Sequence, residues 1–178
     1  KPSLAREQLK PLNFDLDKQS NLEVRRILAF LQMNEGMNLA DEFLKKLPDH
    51  PFAPRILFQQ GRAYQRLDDK PREAHLAFER LIAAYQEDPL VEVAQLQSAI
   101  SAIATGIDSP RSTALKRFKK LIADKGVLAT EAAIMKARLF IDQGQQEDAL
   151  TDLKKILEPK NLPASYRWRA LVLRGEAH

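Results

Sequence analysis

The residues of this chain that could do chemistry are three histidines, some adjacent carboxylates, one basic run and a scattered set of arginines. His50 falls in a loop, His75 on a helix flank and His178 at the chain end. A helical metal site needs ligands one turn apart, as in His-x-x-x-His, and the histidines read as having neither that pattern nor a His–Glu pair. Cysteine is absent, which removes disulfides and thiolate sites. Asp68-Asp69 and Glu147-Asp148 are neighbours in sequence. Consecutive helical residues diverge by about 100°, so these pairs suit turns and helix starts, where acids are favoured. Gly-Arg-Ala-Tyr at 61–64 is a packing glycine inside a helix and no phosphate cradle. A nucleophile, a base and a group to orient them do not come together, so the expectation is a non-enzymatic protein with no catalytic residues, no metal and no cofactor.

The elements that must position these residues are helices. Ala, Leu, Lys, Glu, Gln and Arg dominate, and these are strong helix formers. Leu57, Gly61 and Tyr64 form one apolar stripe at helical spacing, and Ala74, Phe78 and Leu81 form another. The second stripe recurs as Ala40-Leu44-Leu47, Ala114-Phe118-Leu121 and Ala149-Leu153-Ile156, at intervals of 34, 40 and 35 residues. Ala5, Leu9 and Leu12 give a fifth copy. Small residues recur on the first helices at Gly61, Ala99, Ala137 and Gly175, each 38 residues apart, with Ala29 in the unit before.

This spacing predicts antiparallel helix pairs over 3–12, 21–34, 37–47, 54–67, 71–85, 90–105, 110–124, 128–142, 146–157 and 163–177. Pro54, Pro71, Pro110 and Pro163 start helices, where the missing N–H costs nothing. Asp69 and Ser109 are the expected N-caps, and Gly36 and Gly144 the expected turns. Gly61 and Ala74 are expected to face each other. The whole of 1–178 is then one solenoid: a half repeat at 1–14, repeats at about 21–51, 54–89, 90–126 and 128–160, and a half repeat at 163–178. Neither end shows the atypical repeat that usually caps an array, so the chain reads as a slice of a longer one.

The order large–small–aromatic, then Ala–aromatic–Leu, resembles the tetratricopeptide repeat. The resemblance runs from about residue 3 to 178. It implies an all-α fold, an α-α superhelix of TPR-like helix pairs. A Trp or Leu four residues before the small residue is usual in that family. Leu57 and Leu171 match it, while Arg25, Gln95 and Ala133 depart. The segment from Pro48 to Pro54, with Ala74, Phe78 and Tyr85, is similar to repeats of bacterial cell-envelope proteins, namely outer-membrane assembly lipoproteins and Tol–Pal coordinators. That likeness implies the periplasm or cell envelope over the cytoplasm.

In the family the first helices line a concave groove. Counted from the small residue, the groove positions are −6, −3 and +1. They hold Arg55, Phe58 and Arg62, then Val93, Leu96 and Ile100, then Glu131, Ile134 and Arg138, then Arg169, Val172 and Glu176. Aliphatic and Arg positions together suit an extended or helical peptide with apolar anchors and acidic groups. The candidate peptide-binding residues are Arg55, Phe58, Arg62, Ile134, Arg138 and Arg169, and the expected partner is a protein or peptide.

Other classes were weighed on the same residues. A net charge of +4 and a pI near 9.3 are a mild excess, short of a dedicated nucleic-acid binder. The run Lys116-Arg117-Phe118-Lys119-Lys120 reads as four solvated cations around a core Phe, without aromatics spaced for base stacking. An RNA-binding helical repeat stays as the alternative, as does a regulatory domain of a larger enzyme. No apolar run approaches the roughly 20 residues of a membrane span. Oligomeric state and the identity of the partner are not written in the residues.

Overall fold

The computed structural model describes residues 34–67, 69–106 and 108–178. The expected helices at 3–12 and 21–33, with the half repeat at 1–14, lie outside the described residues. Eight helices follow in order among the described residues, with no strand: α1 Asn34–Lys46, α2 Ala53–Tyr64, α3 Pro71–Ala84, α4 Leu90–Ala104, α5 Asp108–Ala123, α6 Ala129–Asp142, α7 Gln146–Leu157 and α8 Ala164–Glu176. No helix among them is long and apolar enough to cross a membrane.

Each helix packs on the next, as short connections require. A second set of contacts links α2 to α4, α4 to α6 and α6 to α8. Among the described residues no comparable backbone approach joins α1, α3, α5 and α7 to one another. The first helices of successive pairs therefore form the inner row and the second helices the outer row.

The stripes explain the packing. Ala74, Ala114 and Ala149 on the second helices are fully buried, as are Ala99 and Ala137 on the first. Opposite Gly61 stands the ring of Phe78, one turn on from Ala74: a Cβ at Gly61 would lie 2.7 Å from it. The expected pairing of Gly61 with Ala74 is thus shifted by a turn, because the ring fills the space that the glycine leaves. Gly175 holds the matching place in α8, and a Cβ there would meet nothing within 4 Å.

Several helix ends differ from the expected ones. α1 already includes Gly36, so that glycine is helical and not a turn. Gly144 does turn, with φ +72°, and so does Gly106 at +70°. Asp69 is not an N-cap: Lys70 holds that place and makes no side-chain capping bond, with Pro71 opening the helix. Ser109 lies inside α5. Proline in the first turn has already removed one of the donors that a capping side chain would satisfy.

We expect Gly61→Ala to destabilise the chain by about 1–3 kcal/mol, the cost of overpacking a tight core, because the fully buried Phe78 ring has nowhere to go. Ala74→Asp buries an unpaired carboxylate and should cost several kcal/mol, roughly the penalty for an unsatisfied buried polar group. Gly175→Ala should be neutral or mildly stabilising. Urea denaturation of the three variants checks the order.

Candidate peptide-binding groove

Among the described residues the inner row carries a cleft between α2 and α4 and another between α6 and α8. The first, of about 360 Å³, lies between α2 and α4 and is lined by Arg62, Gln65, Gln97, Ile100 and Ser101 among others. Its polar floor is ordered: Gln65 Nε2 donates to Ser101 Oγ at 2.9 Å and to the Gln97 carbonyl at 3.3 Å. Arg62 is exposed on its rim, and Arg55 is exposed two turns earlier on α2. Neither makes an ion pair or hydrogen bond with any described residue. Phe58 lies between them but is only half available. Its ring meets Phe78 edge-on at 5.6 Å, so it also supports the core.

The second cleft, of about 320 Å³, lies between α6 and α8 and is lined by Met135, Arg138, Trp168, Arg169 and Val172 over Ile134 and Leu173. Here two sequence expectations need correction. Ile134 is 1% exposed and belongs to a core cluster with Ala137, Leu153, Ala170 and Leu173, so it is floor and not an anchor. Leu96, at the matching place in α4, is buried in the same way. Nor are Arg138 and Arg169 open to a carboxylate. Arg169 donates both terminal nitrogens to the two oxygens of Glu131, at 2.6 and 2.8 Å. Arg138 bonds Asp142 and Glu176, each at 3.1 Å.

Sequence reasoning missed Trp168, which is 69% exposed at this cleft. The signal was available: it is the chain's one Trp and stands four residues before the groove position Val172.

The densest cluster of titratable groups lies elsewhere, where α3, α4 and α5 meet. Arg117 grips Glu79 with both terminal nitrogens, the second at 2.7 Å. Ser98, fully buried on α4, donates its hydroxyl to Glu79 and accepts from Arg117 at 2.7 Å. A hydroxyl has one hydrogen, so His75 Nδ1, 2.9 Å from Ser98 Oγ and 3.2 Å from the Ser98 carbonyl, must be the donor. His75 and Glu79, four residues apart, are a His–carboxylate pair that the sequence reading overlooked, and Arg117 occupies it. No group of three or more potential metal ligands exists among the described residues. His75, expected on a helix flank, is 16% exposed and bonded across helices. Arg117 is not a solvated cation like Lys116, Lys119 and Lys120, which are exposed.

Burial alone would push the Glu79 carboxyl up, but hydrogen bonds from Arg117 and Ser98 and the charges of Arg117 and His75 outweigh it and hold it below the ordinary carboxylate value.

No family model matches the chain, and no curated protein matches it. Solved structures do. Two crystal structures of nearly identical TPR-like repeats from a Podosopora anserina chain described as a kinesin light chain, one of them a point variant, resemble it. The variant gives a TM-score of 0.67 at 16% identity, with 88% of this chain and 84% of that one covered. Its counterpart gives 0.66 at 17% identity with the same coverage. The fold is a TPR-like helical solenoid. The two-row arrangement of α1–α8 is the geometry expected of such repeats, in which stacked pairs present an extended surface.

Two outcomes follow from the α3–α4–α5 cluster. A carboxyl depressed in the folded state contributes stability that is fully present above its unfolded value, about 4.5, and is lost as pH falls through the folded value. Glu79→Gln should therefore be less stable than the parent at neutral pH, with the gap closing below about pH 4.5. His75→Asp puts a second carboxylate beside Glu79 and the Ser98 carbonyl, and should be clearly destabilising at pH 7. Thermal melts across pH 3.5–7.5 read both, roughly spanning the carboxylate and histidine ranges.

Proposed function

We propose that this chain is a non-enzymatic scaffold that holds a polypeptide segment along its inner, first-helix face. One observation carries the reading. The first cleft sits between α2 and α4 and presents an exposed, unpartnered Arg62 beside an apolar Ile100 and an ordered amide and hydroxyl floor. A guanidinium in that setting suits a carboxylate bidentately. Exposed charge pairs give little energy by themselves, so apolar contacts must supply much of the affinity and the arginines the orientation.

The compartment we infer is the bacterial cell envelope. The support is local. Tyr85 donates its hydroxyl to the Pro48 carbonyl, so the two ends of the envelope-like pattern close on each other. Fractionation of source cells with an antibody to the chain tests this; a wholly cytoplasmic signal would overturn it.

Selection of a random twelve-residue peptide display library on the immobilised chain tests the binding reading. Enriched peptides should carry Asp or Glu. Arg62→Glu should weaken them about three- to ten-fold, as an exposed charge reversal allows, and Lys119→Glu on the outer row should leave them unchanged. Phe58→Ala should weaken them too, but it also loosens Phe78, so its effect is read beside its melting curve. Enrichment that depends on Lys119 and not on Arg62 would move the working surface to the outer row.

A further inference from the structure

We propose that the groove has two subsites of different chemistry. It takes an extended polypeptide segment with a carboxylate at the α2/α4 cleft and, about five or six residues away, a bulky apolar side chain at the α6/α8 cleft. This rests on the polypeptide-binding reading above and goes further by naming the segment.

The division follows from how the arginines are spent. Four arginines hold groove positions: Arg55, Arg62, Arg138 and Arg169. Arg169 is held by Glu131 through two bonds, and the Glu131 side chain is only 20% exposed, so its charge is already balanced before a ligand arrives. Arg138 is neutralised from both sides, by Asp142 and Glu176. Arg55 and Arg62 have no such partners. The groove is therefore cationic at α2 and charge-balanced at α8.

Both clefts carry apolar lining, with Leu67, Pro71, Ile100 and Ala104 at the first, but the exposed aromatic ring stands at the second. Around the α6/α8 cleft, Trp168 and Val172 are exposed and Met135 is half-buried, with the paired charges at the rim. An exposed indole against a neutral, aliphatic-floored cleft recognises a large apolar side chain. At the α2/α4 cleft the aromatic Phe58 already leans on Phe78, while Gln97 and Gln65 line the cleft with amides, the Gln65 nitrogen being engaged by Ser101 and the Gln97 carbonyl. Amides suit the main-chain groups that an extended segment leaves unpaired and a helix does not.

Spacing comes from the stacking. Neighbouring helices pack about 8–10 Å apart, and two such steps separate the clefts. An extended chain covers roughly 3.3 Å per residue, which sets the separation at about five or six residues; a helical segment at about 1.5 Å per residue would need twice as many or more.

Synthetic peptides on a Gly/Ser/Thr background test the proposal by fluorescence anisotropy. They carry one Glu and one Phe, in both orders, with roughly two, five or ten residues between them, set around the expected separation. The five-residue spacing in one order should bind about three- to tenfold tighter than the others. Arg62→Gln should abolish the preference for Glu over Ser and keep the preference for Phe. Trp168→Ser should do the reverse. Both side chains are exposed, and unchanged melting curves for the variants confirm that the fold is retained. Binding that ignores spacing, or variants that each erase both preferences, overturns the two-subsite proposal while leaving groove binding intact. No binding by any of these peptides, with no Arg62-dependent sequence from the random library, overturns both.

Discussion

The close approach of small residues is the constraint on which the rest of this molecule depends. Phe78 can press its ring over Gly61 only because no Cβ is there, and Ala74, Ala114 and Ala149 are buried without remainder against the helices that precede them. One helix pair cannot bury its apolar face alone. Stacking one pair on the next does so, and since the backbones of the first helices approach one another and, among the described residues, those of the second helices do not, stacking creates an inner surface. The groove is a consequence of where the small residues stand.

Charge is layered on that packing at the same period. Glu79–Arg117, Glu131–Arg169 and Arg138–Glu176 each join residues 38 apart, the interval at which small residues recur on the first helices. Such pairs add modest stability when exposed. The Glu79–Arg117 pair, locked to the buried Ser98 hydroxyl and His75, is the best satisfied, and it ties three consecutive helices together. Inside the groove the pairs have a second effect: they quench the arginines of α6 and α8 and leave those of α2 open.

Much of the fold was legible because a helix stripe repeats in sequence at the period of the structure. Seven of the predicted helices, from 54–67 to 163–177, appear as α2 to α8 with ends displaced by a few residues, and α1 begins three residues before its predicted start. The site was less legible. Position counting placed Ile134 on the groove side, but it could not see that Ala137, Leu153, Ala170 and Leu173 close around it once α6, α7 and α8 are packed. It gave Arg138 and Arg169 to a ligand because Glu131 and Glu176, 38 residues distant in each case, look unrelated to them until the helices are stacked. It took Arg117 for a solvated cation, since Ser98 and Glu79 meet it only across helices. Trp168 was passed over because it lies one residue outside the counted positions.

The working surface proposed for this chain is the inner row of first helices. A titration of the ¹⁵N-labelled chain with a library-selected acidic peptide, followed by amide chemical shifts, locates the surface that is used. Shifts should be confined to the inner faces of α2, α4, α6 and α8, strongest around Arg62, Ile100 and Trp168. Shifts gathered instead along α3, α5 and α7, around Lys119 and Lys120, would contradict it.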